Sequence, residues 1–296
     1  MSRPQEADDG KAQFDDIYDQ PDPRAYYRTL GALNYEIPQR ALPVLQALLA
    51  ALPGLQQPGP SRVLDVCCSY GINAALLRYG LTMDELYQRY TDPRIDNLST
   101  EELVRSDREW LADRGRPAAP RVTGLDAAQN PITYARRAGL LDDGWAEDLE
   151  AADPSPVLAN ELADVDLVVV TGGVGYVTER TFGRLVAGRP DGSVPWVAAL
   201  VLRIYPFDEI AATLSTSGLV TERLVGATFP QRRFADEREH AAAVEGVLAR
   251  GLDPAGLEAD GRFHAELFVA RPAADVARQP LADLLGSVVL SASRGS

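Results

Sequence analysis

Apolar and polar residues alternate along the chain with two distinct periods. From Phe14 to Leu55, apolar and aromatic residues recur every three or four positions, broken by Pro21, Pro23, Pro38 and Pro43. That spacing predicts a helical lead-in segment. The loop "LQQPGPS" closes it. Short β-rich runs then alternate with helical patterns. "RVLDVCC" reads as a strand buried on both faces, and "INAALLRYG" as its helix with Gly80 as C-cap. "RVTGLDA" is followed by "NPITYARRAGLL", with Pro131 near the first turn of the helix. "GWAEDLE" is a short third strand. "DVDLVVVTGG" precedes the helix "TERTFGRLVAG", and "VPWVAALVLRIYP" precedes "FDEIAATLSTSG". "LVTERLVGATFPQRRF" and "RFHAELFVARP" read as a closing pair of strands around the helix "ADEREHAAAVEGVLARG".

The polar, helical stretch from 82 to 119 interrupts this alternation and reads as an insertion, with "STEE" as a capping signal. The expected organisation is a disordered tail over 1–13, a helical segment over 14–58, an α/β domain over 59–272 and a C-terminal tail over 273–296. Alternating strands and helices with Val-rich strands predict a doubly wound, mostly parallel sheet covered by helices. In such sheets ligands bind beyond the carboxyl ends of the strands, where the strand order reverses.

Composition narrows the partners. The 296 residues carry a formal net charge of -14, and Lys11 is the only lysine. A chain this acidic is repelled by phosphate backbones, which argues against nucleic acid as a partner. The N-terminal "MSRPQEADDGKAQF" has no apolar core, and no run of about 18 apolar residues occurs. The expectation is a soluble, cytoplasmic protein that acts on a small molecule, with no membrane partner. Cys67 and Cys68 are adjacent, so on a strand they point to opposite faces. With no second pair, they predict reduced thiols and no metal site.

Chemistry-bearing residues gather at strand ends. Asp65 lies at the end of the first strand and Asp126 at the end of the second. A carboxylate in the position of Asp126 can accept two hydrogen bonds from a ribose diol, or act as a helix N-cap. The turn from Asp65 to Gly71 contains Cys67 and Ser69 where a dinucleotide fold needs glycine. Side chains there would crowd a pyrophosphate.

"VLDVCCSYGINAALL", "VTGLDAAQNPITYARRAGL" and "DVDLVVVTGGVGYV" resemble motifs I, II and IV of the class I S-adenosylmethionine-dependent methyltransferases. The resemblance covers residues from about 60 to 272. Motif I in that family usually has three glycines and here has one, and the interval from Asp65 to Asp126 is about twice the usual length. The resemblance implies a Rossmann-like, seven-stranded sheet with an antiparallel C-terminal edge, covered by the N-terminal helices as a lid. It implies S-adenosylmethionine as cofactor and roles residue by residue. Asp65, Cys67, Ser69 and Gly71 would wrap the ribose and methionine part. Asp126 would take the ribose hydroxyls, with Ala127 beside the adenine. Asp148 would bond the adenine amino group, with Leu149 packing on the ring. Thr171, Gly172 and Gly173 would stand near the methionine end.

On the acceptor side, Tyr176 follows "TGGVG" directly after the fourth strand. Arg203 lies late in the fifth strand with Tyr205, and could pair with Asp208 or bind a substrate carboxylate. The lead-in segment offers Tyr18, Tyr26, Tyr27, Asn34 and Tyr35. These could hold a sulfonium by cation–π attraction, with Tyr27 a catalytic candidate, or simply pack between helices. His240 and His264 read as structural. The expected activity is methyl transfer to a small molecule, of the kind found in specialised metabolism. The alternative is an intramolecular displacement on the cofactor, giving azetidine-2-carboxylate and methylthioadenosine. The chain is broadly similar to the azetidine-2-carboxylate synthases, which use the same fold.

Overall fold

The computed structural model describes residues 15–52, 59–187 and 192–292. The expected tail over 1–13 lies outside them. Three helices lead in: α1 (Asp15–Tyr18), α2 (Arg24–Ala32) and α3 (Ile37–Ala51). β1 (Arg62–Val66) runs into α4 (Ile72–Tyr79), and the insertion then supplies α5 (Met83–Tyr90) and α6 (Thr100–Leu111). The alternation continues through β2 (Arg121–Asp126), α7 (Gln129–Ala138), β3 (Asp143–Ala146), α8 (Pro156–Leu162), β4 (Leu167–Thr171), α9 (Glu179–Val186) and β5 (Trp196–Leu202). Next come α10 (Asp208–Thr216), β6 (Leu219–Arg223), β7 (Phe229–Arg233), α11 (Glu237–Ala249) and β8 (Arg262–Pro272). The described chain closes with α12 (Ala273–Arg278) and α13 (Leu281–Ala292).

The strands pair in the order β3-β2-β1-β4-β5-β8-β6, with β1 to β5 parallel and β8 antiparallel to both of its neighbours. The stretch 219–234 forms two short strands in place of one. Both β6 and β7 pair with β8, which brings the sheet to eight strands. Gly226, at φ 82°, lies in the turn that separates them. The strand order reverses between β1 and β4, which opens a crevice at their carboxyl ends.

Period-two alternation splits the strands between two apolar layers. Val63 and Val169 face a core shared with Val44, Leu48 and Leu76; Leu64 and Val168 face one shared with Leu158, Phe182 and Leu214. The stretch after Pro272 is helical where a tail was expected. Leu281 and Leu285 are buried in the same core as Val44 and Leu48, so burial of apolar side chains folds this segment onto α3.

The insertion is an integral support for the lead-in helices. Thr82/Glu85 and Ser99/Glu102 form reciprocal capping boxes that start α5 and α6. Arg24 donates to the carbonyls of Ile95, Asp96 and Leu98, and the Tyr87 hydroxyl donates to the Tyr35 carbonyl. Asp107 is fully buried between α5, α6 and α7. It accepts from Arg89 and, at 2.6 Å each, from the hydroxyls of Tyr90 and Tyr134.

Candidate functional site

The loop after β1 is built as a glycine loop from mostly other residues. Cys67, Ser69 and Gly71 have φ of 55°, 48° and 77°, so alternate positions are left-handed. Left-handed backbone costs an L-residue about 1–2 kcal/mol, and it persists where the surroundings over-determine it. Here the loop amides are held from both sides. The Ser69 N–H donates to Asp126 Oδ2 at 3.0 Å, and the Gly71 N–H to the Cys68 carbonyl at 2.9 Å. Gly71 takes its left-handed φ without the strain a side chain would add, and a Cβ there would press on Leu141 at 3.3 Å. Ser69 is buried and its hydroxyl has no partner within the protein. Ser69→Gly is therefore expected to stabilise the fold by about 1 kcal/mol, from relief of strain and of an unmet hydroxyl. Thermal unfolding checks this; a lower melting temperature would contradict the strain.

The crevice between β1 and β4 holds a pocket of about 640 Å³, counting the space at its mouth. Cys67, Ser69, Asp126, Thr171, Gly172 and Tyr176 line it, together with Tyr18 and Asp19 from the lead-in segment. Among the described residues, no arginine, lysine or histidine lines it. Asp126 also accepts from the Ala128 N–H at 3.0 Å, and burial raises its pKa against those two amide bonds. Burial likewise raises the Tyr18 hydroxyl well above the ordinary tyrosine value, with the nearby Tyr176 and Tyr35 adding to it. Burial pushes the Cys67 thiol up too, so it stays protonated and unreactive.

Tyr18 and Asp19 are strapped over the pocket. The Tyr70 hydroxyl donates to the Gln20 carbonyl at 2.8 Å and accepts from the Gln20 N–H at 3.1 Å. On the other side, Asn130 donates its backbone N–H and its amide to Asp19. The lid is thus tied to the β1–α4 loop and to the start of α7, the two segments that frame the pocket.

Behind the pocket wall lies a buried polar layer. Asn73 Nδ2 donates to Asp65 Oδ1 at 2.8 Å and to Thr171 Oγ1 at 2.9 Å. Burial, opposed by the Asn73 bond and helped by Asp126, raises the Asp65 pKa to about 7. The native state therefore keeps a proton that the unfolded chain releases. Its stability falls as pH rises from the ordinary carboxylate range through about 7.

Several expected residues do not reach the pocket. Tyr27 is buried against Tyr90, stacked at 4.6 Å, and edge-on to Tyr26 and Tyr87. It packs the lid helices onto the insertion, and Tyr18 is the lid tyrosine at the pocket. Arg203 pairs with the buried Glu258 at 2.5 Å and donates to the Asp253 carbonyl. Its acidic partner is thus Glu258 and not Asp208. Leu149 is buried in the core that contains Val170 and Phe182. Asp148 is exposed and accepts from the Glu150 N–H. Ala127 is half-buried, and its neighbour Ala128 is the one that lines the pocket. His264 bonds Thr228 through Nδ1 at 3.1 Å, and burial lowers its pKa to about 4. Asp19 lines the pocket and was not legible as a site residue, since no motif marks it.

No family model and no curated protein matches the chain. Among solved structures it is similar to geranyl diphosphate C-methyltransferase from Streptomyces coelicolor A3(2), solved with S-adenosyl-L-homocysteine. The two share 13% identity over 78% of this chain and 79% of that one, with a TM-score of 0.39. It is similar to a TehB-like SAM-dependent methyltransferase from Corynebacterium glutamicum, at 16% identity, 75% and 85% coverage and a TM-score of 0.35. It is also similar to magnesium protoporphyrin IX methyltransferase from Synechocystis, solved with bound SAM, at 11% identity, 78% and 80% coverage and a TM-score of 0.34. The fold is Rossmann-like. Its own strand order, parallel crossovers and antiparallel closing strand carry that assignment. Among the described residues, no three His, Cys, Asp or Glu side chains come together as a metal site. No described helix is long and apolar enough to cross a membrane.

Proposed function

We propose that the chain binds S-adenosylmethionine in this pocket and transfers its methyl group to a small molecule. One observation carries the reading: a pocket at the strand-order reversal whose charged lining, among the described residues, is the carboxylates of Asp19 and Asp126. Such a lining attracts a cation and repels a pyrophosphate. When bound, S-adenosylmethionine supplies a sulfonium whose methyl carbon is electrophilic. Asp126, at the end of β2, takes the ribose hydroxyls. The loop from Cys67 to Gly71 backs the amino-acid arm. Tyr18 and Tyr176 present aromatic surface to the sulfonium and keep water out. Positioning and desolvation then supply the rate enhancement, and no strong general base is required.

A second reading draws support from Asp65 behind the pocket wall, whose pKa of about 7 and unpartnered Oδ2 let it take up a proton at neutral pH. In that reaction the cofactor's amine loses a proton and its nitrogen bonds to its own γ-carbon. The carbon–sulfur bond breaks with its electrons going to sulfur. The products are azetidine-2-carboxylate and methylthioadenosine.

Mass spectrometry of the pure protein with S-adenosylmethionine alone separates the two. S-adenosylhomocysteine that forms only when a nucleophile is added supports methyl transfer. Methylthioadenosine with a four-membered-ring amino acid, above the spontaneous rate, supports the cyclisation. Absence of binding by calorimetry would sink both.

A further inference from the structure

The C-terminal ends of α4, α6 and α7 border a second cavity, of about 790 Å³ counting the space at its mouth. Arg78, Arg108 and Arg116 line it together with the buried apolar side chains of Leu111 and Ala138. Among the described residues, no carboxylate lines it. Ala128, just before α7, lines the pocket between β1 and β4, and Ala138, the last residue of α7, lines this cavity. Ten residues of helix span about 15 Å, so the two cavities lie at opposite ends of one element.

An arginine beside a helix C-terminus ordinarily serves the last carbonyls. Arg78 and Tyr79 already do so here. Arg78 donates to the Gly139 carbonyl at 2.7 Å, to the Leu140 carbonyl and to Asp142. The Tyr79 hydroxyl donates to the Gly139 carbonyl at 2.5 Å. Arg108 and Arg116 are exposed, and neither guanidinium makes an ion pair or hydrogen bond among the described residues. Arg116 is nonetheless held in place by its backbone. Its N–H donates to the Arg78 carbonyl at 2.9 Å, and its carbonyl accepts from the Ala119 N–H at 3.2 Å. Its stem packs on Gly80, the C-cap of α4, where a Cβ would lie 3.2 Å from Arg116 Cδ.

We propose that this cavity binds a phosphate monoester, with the phosphate on Arg108 and Arg116 and the organic body against Leu111 and Ala138. A guanidinium presents two parallel N–H donors that match a pair of phosphate oxygens, which an ammonium cannot do. The apolar wall adds affinity in proportion to the area it covers. The net charge of -14 opposes an anion only at long range. Beyond about 8 Å that repulsion is screened at physiological ionic strength, whereas the two guanidiniums act at contact. The site does not depend on the cofactor reading above.

Calorimetric titration of the full chain with phenyl phosphate and with inorganic phosphate tests this. Phenyl phosphate is expected to bind more tightly than inorganic phosphate. The double variant Arg108→Gln/Arg116→Gln is expected to weaken phenyl phosphate about tenfold or more. Both side chains are exposed, so the fold is kept, which an unchanged melting temperature checks. Arg180→Gln removes an exposed arginine outside the cavity and is expected to leave binding within about twofold. Absence of phenyl phosphate binding up to about 10 mM overturns the proposal. So does an equal loss in Arg180→Gln, which marks diffuse charge attraction. Equal affinity for the two anions overturns the assignment of an organic ester. Displacement of phenyl phosphate by saturating S-adenosylmethionine puts it in the pocket between β1 and β4 and overturns the second site.

Discussion

Asp126→Ala is expected to weaken S-adenosylmethionine binding by about 1–3 kcal/mol, the value of a lost pair of hydrogen bonds to a charged acceptor. That is roughly a 5- to 150-fold change in Kd. The carboxylate has a second task, because its oxygens fix the Ser69 and Ala128 amides at 3.0 Å each. Without the carboxylate the left-handed loop loses one of the bonds that hold it, and part of the affinity loss comes from that release. Asp126→Asn separates the contributions. An asparagine oxygen can still accept from one amide, so the loop is better kept than in the alanine variant while the charge is gone. Calorimetry of the three proteins is the measurement, and wild-type affinity in Asp126→Ala would contradict the ribose role.

Asp107→Leu is expected to lower the free energy of unfolding by about 3–5 kcal/mol, because it leaves a charge and its donors without their acceptor. Arg89 and the hydroxyls of Tyr90 and Tyr134 all converge on this carboxylate, which is fully buried. Asp107→Asn keeps an acceptor for one tyrosine and should cost less. The effect reaches the pocket through packing. The Tyr134 ring meets Tyr70 edge-on at 6.1 Å, and the Tyr70 hydroxyl clamps Gln20 in the lid strap. Denaturant unfolding measures the stability. A loss under about 1 kcal/mol would mean that Asp107 is not the centre of the contact between the insertion and α7.

Much of the site was legible because strand ends and turns are local. The run "RVLDVCC" and the spacing to Gly71 located the loop, and the end of "RVTGLD" located Asp126. The loop keeps a glycine-like backbone although two of its left-handed positions are not glycine. Cys67 and Ser69 take the left-handed conformation that glycine would, because Asp126 and the loop's own bonds impose it. The insertion looked like an appendage from its polarity alone. Its buried face, with Leu86, Tyr90 and Leu103 in the main core, is visible only once α2 and α7 pack on it.

Period and residue type along the chain dictated the doubly wound sheet, its reversal point and the carboxylates at its strand ends. Those properties depend on neighbours a few residues apart. Which lid tyrosine meets the pocket depended on helix rotation. Tyr27 is turned onto Tyr90 and Tyr18 is turned inward, although both belong to one aromatic-rich stretch. Arg203 found Glu258, 55 residues away, and Gln231 came to lie against Gly172 from a strand that pairs only with β8. Such partners are set by long-range pairing and by the desolvation of buried polar groups, neither of which leaves a periodic trace in the chain.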